Sequence, residues 1–405
     1  MNRATLLSTA LAITPALLAA QSPQEHRRIH GDTTFVTSSK AAHVPILEAT
    51  RLRTLTAGPD GAPFGRIDAL ALGPNGSLAV FDGNGNTGPE LSILSPGASA
   101  LRRIGREGDG PGEYRGGGPG LAIAADGTIL LRQLKGVINR YRADGRFINS
   151  FFISGIGGLI DIFPGPHHTF YTHAGPTRGA AQFSFLQLPL LQLDSMGVIL
   201  DTVPAPPPTA GAVDSKFALS VLWTVIPDGR RLALRSDKLG YTLQALEPRA
   251  SLLRTDVEAT PPRFLPEERQ ELQLVLDFGQ RLPPGMRSPI TRMPELKQLL
   301  AGAPAFDWSQ RIWLPVHTAG VKQGIRALGR HESARGQVES VSVSYDEPPE
   351  FASFDLSGHY YGRVRFPLGA TRLVFFGNTA WGVITGPDDE PALAEFRLPA
   401  ALDAH

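Results

Sequence analysis

Cysteine is absent from the 405-residue sequence, and neither sign of charge predominates. Without cysteine the chain can form no disulfide framework and no thiolate metal site, and it has no lipobox cysteine for an acyl anchor. The 39 basic and 38 acidic side chains nearly cancel, so no overall field would attract nucleic acid or an anionic membrane. We therefore expect no nucleic-acid partner.

Glycine and proline, by contrast, are abundant, with 44 and 35 residues. They are spread along the chain, which indicates many turns rather than one disordered tract. Apolar residues make up 42% of the sequence, enough for a sizeable core. This composition predicts many short strands joined by tight turns.

The first twenty residues differ from the rest. Arg3 is followed by an uncharged stretch that ends in Ala19 and Ala20, a pattern typical of a secretory signal peptide cleaved near Ala20. An N-terminal anchor helix is the alternative, but the stretch contains Pro15 and is barely long enough to span a bilayer. We expect an exported protein, periplasmic or secreted, with no integral membrane segment in the mature chain.

A repeat of two hairpins per roughly 50 residues runs through the chain. LALGPNGSLAVFD (70–82) places alternating apolar residues on both sides of Asn75-Gly76, and Asp126-Gly127 and Asp228-Gly229 occupy the same place in later units. Each unit carries a second hairpin, with turns such as Pro96-Gly97 and Asp144-Gly145. Four strands per unit are typical of a β-propeller blade.

Counting the units predicts an all-β, six-bladed β-propeller with an N-terminal closing strand and a short helical insertion. The last unit, 370–400, holds only three strands, and ATRLRTLTA (49–57) can supply the fourth and close the ring. The expected organisation is a signal peptide (1–20), an N-terminal tail (21–43) and a propeller (44–400) with the helical insertion at about 264–302.

The chain resembles the bacterial six-bladed β-propeller proteins related to the NHL-repeat group. The resemblance rests on IGREGDGPGEYRGGGPGLAIAADGTILL (104–131), YRADGRFINSF (141–151) and TPPRFLPEERQELQL (260–274). That group is largely of unknown function, so the resemblance implies a fold and little chemistry.

The segment GREGDGPGEY (105–114) has the glycine spacing of a phosphate-binding loop. Pro111, however, stands where such a loop needs its lysine, and the element that follows is a predicted strand rather than a helix. We interpret the segment as a link between two blades, with Tyr114 packed between them.

Two sets of residues are candidates for metal ligands. His167, His168 and His173 are better explained by a surface hairpin, because adjacent residues of a strand point to opposite faces. The second set follows an inner strand near a channel mouth and consists of Asp82, Asn84 and Asn86. These are weak candidates for a divalent metal, and we expect no cofactor.

Equivalent stretches of other blades carry basic residues instead. Arg132 and Lys135 follow one predicted strand, and Arg235 and Lys238 follow another. A cationic rim suits an anionic ligand or an acidic partner better than a metal.

The helical insertion is predicted as two capped amphipathic helices. Pro266 fits the first position of one helix, and RMPELKQLLAG (292–302) repeats the design. Arg269 and Lys297 then fall on the polar faces, where they could contact a partner.

The sequence favours a monomeric, non-enzymatic binding or scaffold module for a protein or a small anionic ligand. The alternative is a metal-dependent hydrolase or lyase of the NHL or lactonase type with its site at the central channel. The two differ in whether three or more carboxylate or amide side chains converge at one channel mouth.

We predict that the mature protein begins near Gln21. Mass spectrometry of protein recovered from the cell envelope should find an N-terminus there, because the apolar stretch before it would be removed on export. Recovery of the chain with residues 1–20 intact would contradict export by a cleaved signal peptide.

Overall fold

The computed structural model describes residues 25–39, 45–85, 88–116, 120–133, 136–153, 161–173, 189–204, 223–281, 291–332, 338–386 and 389–403. The predicted signal peptide lies outside these residues. Four strands precede the first blade: β1 (Glu25–His30), β2 (Thr33–Ser38), β3 (Ile46–Glu48) and β4 (Thr50–Leu55).

The first blade contains β5 (Ile67–Leu72), β6 (Leu78–Gly85), β7 (Gly88–Leu94) and β8 (Arg102–Ile104). The link to the second blade holds β9 (Arg106–Glu107) and β10 (Glu113–Tyr114). The second blade contains β11 (Gly120–Ile123), β12 (Ile129–Arg132), β13 (Val137–Tyr141) and β14 (Phe147–Phe152). The third contains β15 (Ile162–Pro164), β16 (Phe170–His173), β17 (Leu190–Leu193) and β18 (Ile199–Val203).

The fourth blade contains β19 (Trp223–Val225), β20 (Arg231–Arg235), β21 (Leu239–Ala245) and β22 (Ser251–Val257), and α1 (Pro266–Gln280) follows it. The fifth contains β23 (Ala305–Phe306), β24 (Arg311–Val316), β27 (Glu350–Asp355) and β28 (Tyr360–Arg365). Between β24 and β27 lies a hairpin of β25 (Val321–Glu332) and β26 (Val338–Asp346). The sixth contains β29 (Thr371–Phe376), β30 (Thr379–Thr385) and β31 (Pro391–Arg397), and a 3₁₀ turn, Ala400–Asp403, follows.

The sheet topology confirms the six-bladed propeller and its closing strand. β4 pairs antiparallel with β31 in the sixth blade, and Leu55 lies opposite Leu393. The strands before β4 also extend blades: β2 adds parallel to β22 of the fourth blade, with β1 outside it, and β3 adds parallel to β28 of the fifth. Part of the segment 21–43, expected as a tail, therefore forms two strands of a sheet, Glu25–His30 and Thr33–Ser38.

The hydrophobic core is divided among the interfaces between neighbouring blades. Side chains alternate across each strand, so every blade presents one apolar face to the blade before it and one to the blade after it. Six clusters result, and each joins residues of two adjacent blades. The cluster between the fifth and sixth blades includes Trp313 stacked on Phe375, with ring centroids 4.3 Å apart.

The glycine-rich segment 105–114 is a structural link, as predicted from the sequence. It runs from β8 to β11 and pairs β9 with β10 in parallel. The Tyr114 ring is fully buried between the first two blades, and its hydroxyl donates to Ile104 O and accepts from Leu91 N, both at 2.9 Å. Burial raises the pKa of Tyr114 to about 12.

One of the two predicted helices is present. α1 begins at Pro266 as expected, and the Glu268 carboxylate accepts the backbone N–H of Leu265 at 3.1 Å. The prediction of a second helix at 292–302 is wrong. This segment instead forms isolated β-bridges, from Leu296 to Arg263 and from Leu300 to Val316. A helix of so few residues is marginal by itself, and the contacts of this segment with the fifth blade outweigh its propensity.

Within the parts of the chain that the structure describes, no helix combines the length and the apolar character needed to cross a bilayer.

We predict that removing the closing strand is far more damaging than removing the first two strands. Deletion of residues 21–43 takes away only β1 and β2 at the edge of one blade. Deletion of 21–57 also opens the sixth blade and exposes an unpaired sheet edge with apolar side chains. The longer deletion should lower the melting temperature sharply or cause aggregation, whereas the shorter should leave a folded protein. Equal melting of parent and 21–57 deletion would place the ring closure elsewhere.

Candidate functional site

The central channel is a cavity of about 580 Å³ lined by the inner strands of all six blades. Its walls are mainly apolar, with Asp68, Asp161, Thr224 and Arg372 as the polar members. Asp68 and Arg372 are the second residues of their inner strands, and Asp161 directly precedes β15. The charged groups therefore lie at the edge where the inner strands begin, here called the mouth face.

The predicted basic residues of two blades lie at the same face. In each blade the second strand runs antiparallel to the inner strand, so the last residue of the second strand lies beside the first residue of the inner strand. In the second blade, Arg132 at the end of β12 pairs with Gly120 at the start of β11. Arg235 ends β20 of the fourth blade in the same way. Lys238 is exposed in the turn after it, and Lys135 lies outside the described residues.

Arg132 is buried at the interface between the second and third blades. Leu130, two residues earlier on the same side of β12, belongs to the core cluster of that interface. The side chain is among the largest that are fully buried, and within the described structure none of its three guanidinium nitrogens has a hydrogen-bond partner. Burial lowers the pKa of Arg132 to about 10, and the charge of Asp161 opposes this shift.

His173 lies close to this arginine but belongs to the next interface. Its Nδ1 is 3.7 Å from Asp161 Oδ2, and its ring meets the edge of Trp223 with centroids 4.8 Å apart. Burial lowers the pKa of His173, and the positive charge of Arg132 lowers it further against the opposing effect of Asp161. His167 and His168 lie in the turn before β16 with positive φ, so the three histidines do not form one site.

Arg235 makes structural contacts. Its guanidinium donates to Gln298 Oε1 at 2.8 Å and to the carbonyl oxygen of Leu300. It thereby holds the 292–302 segment on the fourth blade. Arg132 and Arg235 occupy equivalent strand ends. The Arg235 guanidinium donates hydrogen bonds within the protein, whereas the Arg132 guanidinium donates none in the described structure.

The acidic candidates near β6 also have structural contacts. The Asp82 carboxylate is buried and accepts the backbone N–H groups of Gly65, Arg66 and Asn84 at 2.7–3.0 Å. These hydrogen bonds hold the chain that leads into β5 against the end of β6. Asn84 is exposed and Asn86 lies outside the described residues. In the described ranges, no three His, Asp or Glu side chains are placed to hold a metal ion.

A second cavity, of about 800 Å³, lies between α1, the 292–301 segment and the chain that leads from β26 into β27. Its buried end contains a chain of charges that the sequence analysis missed, here called the Lys297 cluster. Lys297 Nζ lies 2.5 Å from Glu268 Oε1 and 2.8 Å from Glu347 Oε1. His317 Nδ1 lies 3.0 Å from Glu347 Oε2.

The Lys297 cluster corrects the prediction of a polar helix face. The Lys297 side chain is completely buried rather than exposed to a partner, and Arg269 donates to the carbonyl oxygen of Met293 at 2.8 Å. The members of the cluster are up to 79 residues apart, from Glu268 to Glu347, so no local pattern could have revealed them.

The contacts of Glu347 change its pKa strongly. Burial opposes the ionisation of the Glu347 carboxyl. That effect is outweighed by interactions with His317, the Lys297 ammonium and the N–H of Thr318, which donates at 2.8 Å. Together these interactions lower the pKa of Glu347 to about 2. Because the folded pKa lies below the usual value for glutamate, these contacts stabilise the fold above about pH 5 and are lost as the pH falls toward 2. The size of this contribution is on the order of 3 kcal/mol.

Comparison with known proteins identifies no family. No protein-family model matches the chain, and none of the curated proteins matches it significantly. Among solved structures it is similar to an exported-protein candidate of Bacteroides fragilis, with 11% identity and a TM-score of 0.47 over 90% of this chain and 99% of the other. It is also similar to the β-propeller domain of Cps50 (Swd1) of Myceliophteria thermophila, with 8% identity and a TM-score of 0.42 over 87% and 100% of the two chains.

These likenesses are too distant to carry an argument, and the six-bladed arrangement rests on the chain's own sheet topology. The resemblance to the NHL-repeat group stays a prediction.

We predict that Glu347→Gln lowers the free energy of unfolding at pH 7, because the neutral amide leaves Lys297 and His317 without one charged partner. The difference from the parent should shrink as the pH falls from about 5 to about 2, where the parent carboxylate becomes protonated. Urea denaturation at several pH values measures this. Glu267→Gln, in the same helical turn as Glu268 but exposed, is the matched control and should change little. A difference that stays constant with pH would contradict the assignment.

Proposed function

We propose that this protein is a binding module whose mouth face takes an anionic group, either a small anion or an acidic group of a partner, through the guanidinium of Arg132. The single observation that carries the proposal is the burial, between the second and third blades, of three guanidinium nitrogens that have no hydrogen-bond partner among the described residues. No bond is made or broken in this role.

The energetics of Arg132 support the proposal. A buried charge without hydrogen bonds costs several kcal/mol, and native structures rarely leave one uncompensated. Even with its pKa lowered to about 10, Arg132 keeps its proton at neutral pH. The guanidinium therefore needs an opposite charge. Asp161 is half exposed and makes no hydrogen bond to Arg132 in the described structure.

The chemistry of the guanidinium indicates the ligand class. Its planar set of N–H donors matches a carboxylate or a phosphate in a bidentate arrangement. Among the charged side chains of the nearby channel lining, Asp68 is already paired with Arg66 at 2.9 Å. A carboxylate or phosphate at the second and third blades would satisfy the nitrogens that have no partner in the described part of the chain.

The equivalent arginines of two blades give a matched test. Arg132→Met removes an uncompensated charge and should leave the melting temperature unchanged or raise it when only chloride is present. Arg235→Met removes hydrogen bonds to Gln298 and Leu300 and should lower it. At constant ionic strength, phosphate or citrate at ten times its dissociation constant should raise the melting temperature of the parent by about 1–2 °C.

Arg132→Met should lose that anion-dependent shift, and Arg235→Met should keep it. Two results would contradict the proposal: a strong destabilisation by Arg132→Met without added anion, or an equal anion response in parent and Arg132→Met. The first would show that protein groups already satisfy the guanidinium, and the second that the anion binds elsewhere.

A further inference from the structure

The second cavity has the size and the lining of a ligand site. At about 800 Å³ it falls within the range of small-molecule pockets. Aromatic rings and prolines form much of its wall: Phe264, Tyr345, Phe351, Pro294, Pro348 and Pro349. Leu272 and Met293 add aliphatic surface, so the body of a ligand here would be apolar.

The polar end of the cavity presents hydrogen-bond acceptors. Glu347 is ionised at neutral pH, so the imidazole of His317 donates its Nδ1–H to that carboxylate at 3.0 Å. The carboxylates of Glu347 and Glu268 are the acceptors at this end. The donors at this end are already in use, because Lys297 Nζ is shared between Glu268 and Glu347. A ligand that reaches this end must bring donors of its own.

The charges around the cavity favour a cation. Carboxylates outnumber basic side chains in the lining: Glu268, Glu271, Asp346, Glu347 and Glu350 lie there with Arg292, Lys297 and His317. Arg363 and Arg365 neutralise Glu350 from outside the lining. The Phe264 ring already accepts an ammonium, since Lys297 Nζ lies 5.0 Å from its centroid. An anion would meet repulsion where a cation would meet carboxylates and an aromatic face.

We propose that this cavity binds a small organic cation that consists of an apolar, preferably aromatic, body and one ammonium group. The body packs against Phe351, Tyr345 and Leu272, and the ammonium donates to the carboxylates at the Glu347 end. The site lies on α1 and the fifth blade, away from Arg132 on the second, and is independent of the anionic site proposed for the mouth face.

The test uses three phenyl compounds of similar size: 2-phenylethylammonium, 2-phenylethanol and 3-phenylpropionate. Isothermal titration or ligand-observed NMR should give a dissociation constant of about 1 mM for the ammonium. The neutral alcohol should bind more weakly, and the carboxylate at least about 10-fold more weakly than the ammonium. Equal binding of ammonium and carboxylate would overturn the proposal.

Matched leucine substitutions locate the site. Leu296 lines the cavity and is partly exposed, so Leu296→Trp should fill the space and weaken 2-phenylethylammonium binding about 10-fold without unfolding the protein. Leu274 is exposed on α1 and does not line the cavity, so Leu274→Trp should bind like the parent. Glu271→Gln should weaken the ammonium severalfold and leave the alcohol unchanged.

Unchanged binding by Leu296→Trp would show that the ammonium binds elsewhere, and no binding by the parent would show that the cavity is not a site for organic cations. Arg132→Met should not alter any of these constants, so failure of the anion proposal and failure of this one can be told apart.

Discussion

Ring closure is the constraint on which the rest of the structure depends. A blade packs its two faces against two neighbours, so a gap anywhere leaves two apolar faces and one sheet edge exposed to water. The chain closes the gap with β4. Arg53 anchors this strand: it pairs with Glu395 at 2.5 Å, donates to Ala98 O at 2.8 Å and lies over the Trp381 ring at 5.0 Å. One side chain thus ties the N-terminal strand to both the last blade and the first.

Ring closure also determines where functional side chains from different blades can come together. Because all inner strands start at the same edge, residues at strand ends from different blades are brought to one face of the channel. Arg132 and Arg235 hold equivalent places there. The Arg235 guanidinium binds the 292–302 segment, whereas the Arg132 guanidinium has no hydrogen-bond partner in the described structure. The insertion in turn walls the second cavity, where Lys297 is held by acids from α1 and from the chain that enters the fifth blade. Both candidate sites are products of long-range packing.

The sequence predicted the architecture because each blade repeats local signals. Turns such as Asn75-Gly76 and Asp126-Gly127 need positive φ, which both glycines adopt, and alternating apolar residues fix the strands around them. The incomplete last unit correctly implied the closing strand.

The sequence pattern failed where tertiary contacts outweighed helix propensity. Segment 292–302 has the residues of a short helix, but Leu300 is buried against the fourth and fifth blades and Lys297 is drawn to two carboxylates. Sequence placed Arg132 at the mouth face but could not show that its nitrogens lack partners, since hydrogen bonding depends on the packed interface.

The most direct test of the anion-binding role is an anomalous diffraction measurement on crystals soaked in sodium bromide. If the mouth face takes an anion through Arg132, an anomalous peak should lie within hydrogen-bonding distance of the Arg132 guanidinium, at the interface of the second and third blades, and should be absent from Arg132→Met crystals. A map with no peak there, in which protein carbonyl or carboxylate groups satisfy all three guanidinium nitrogens, would contradict it.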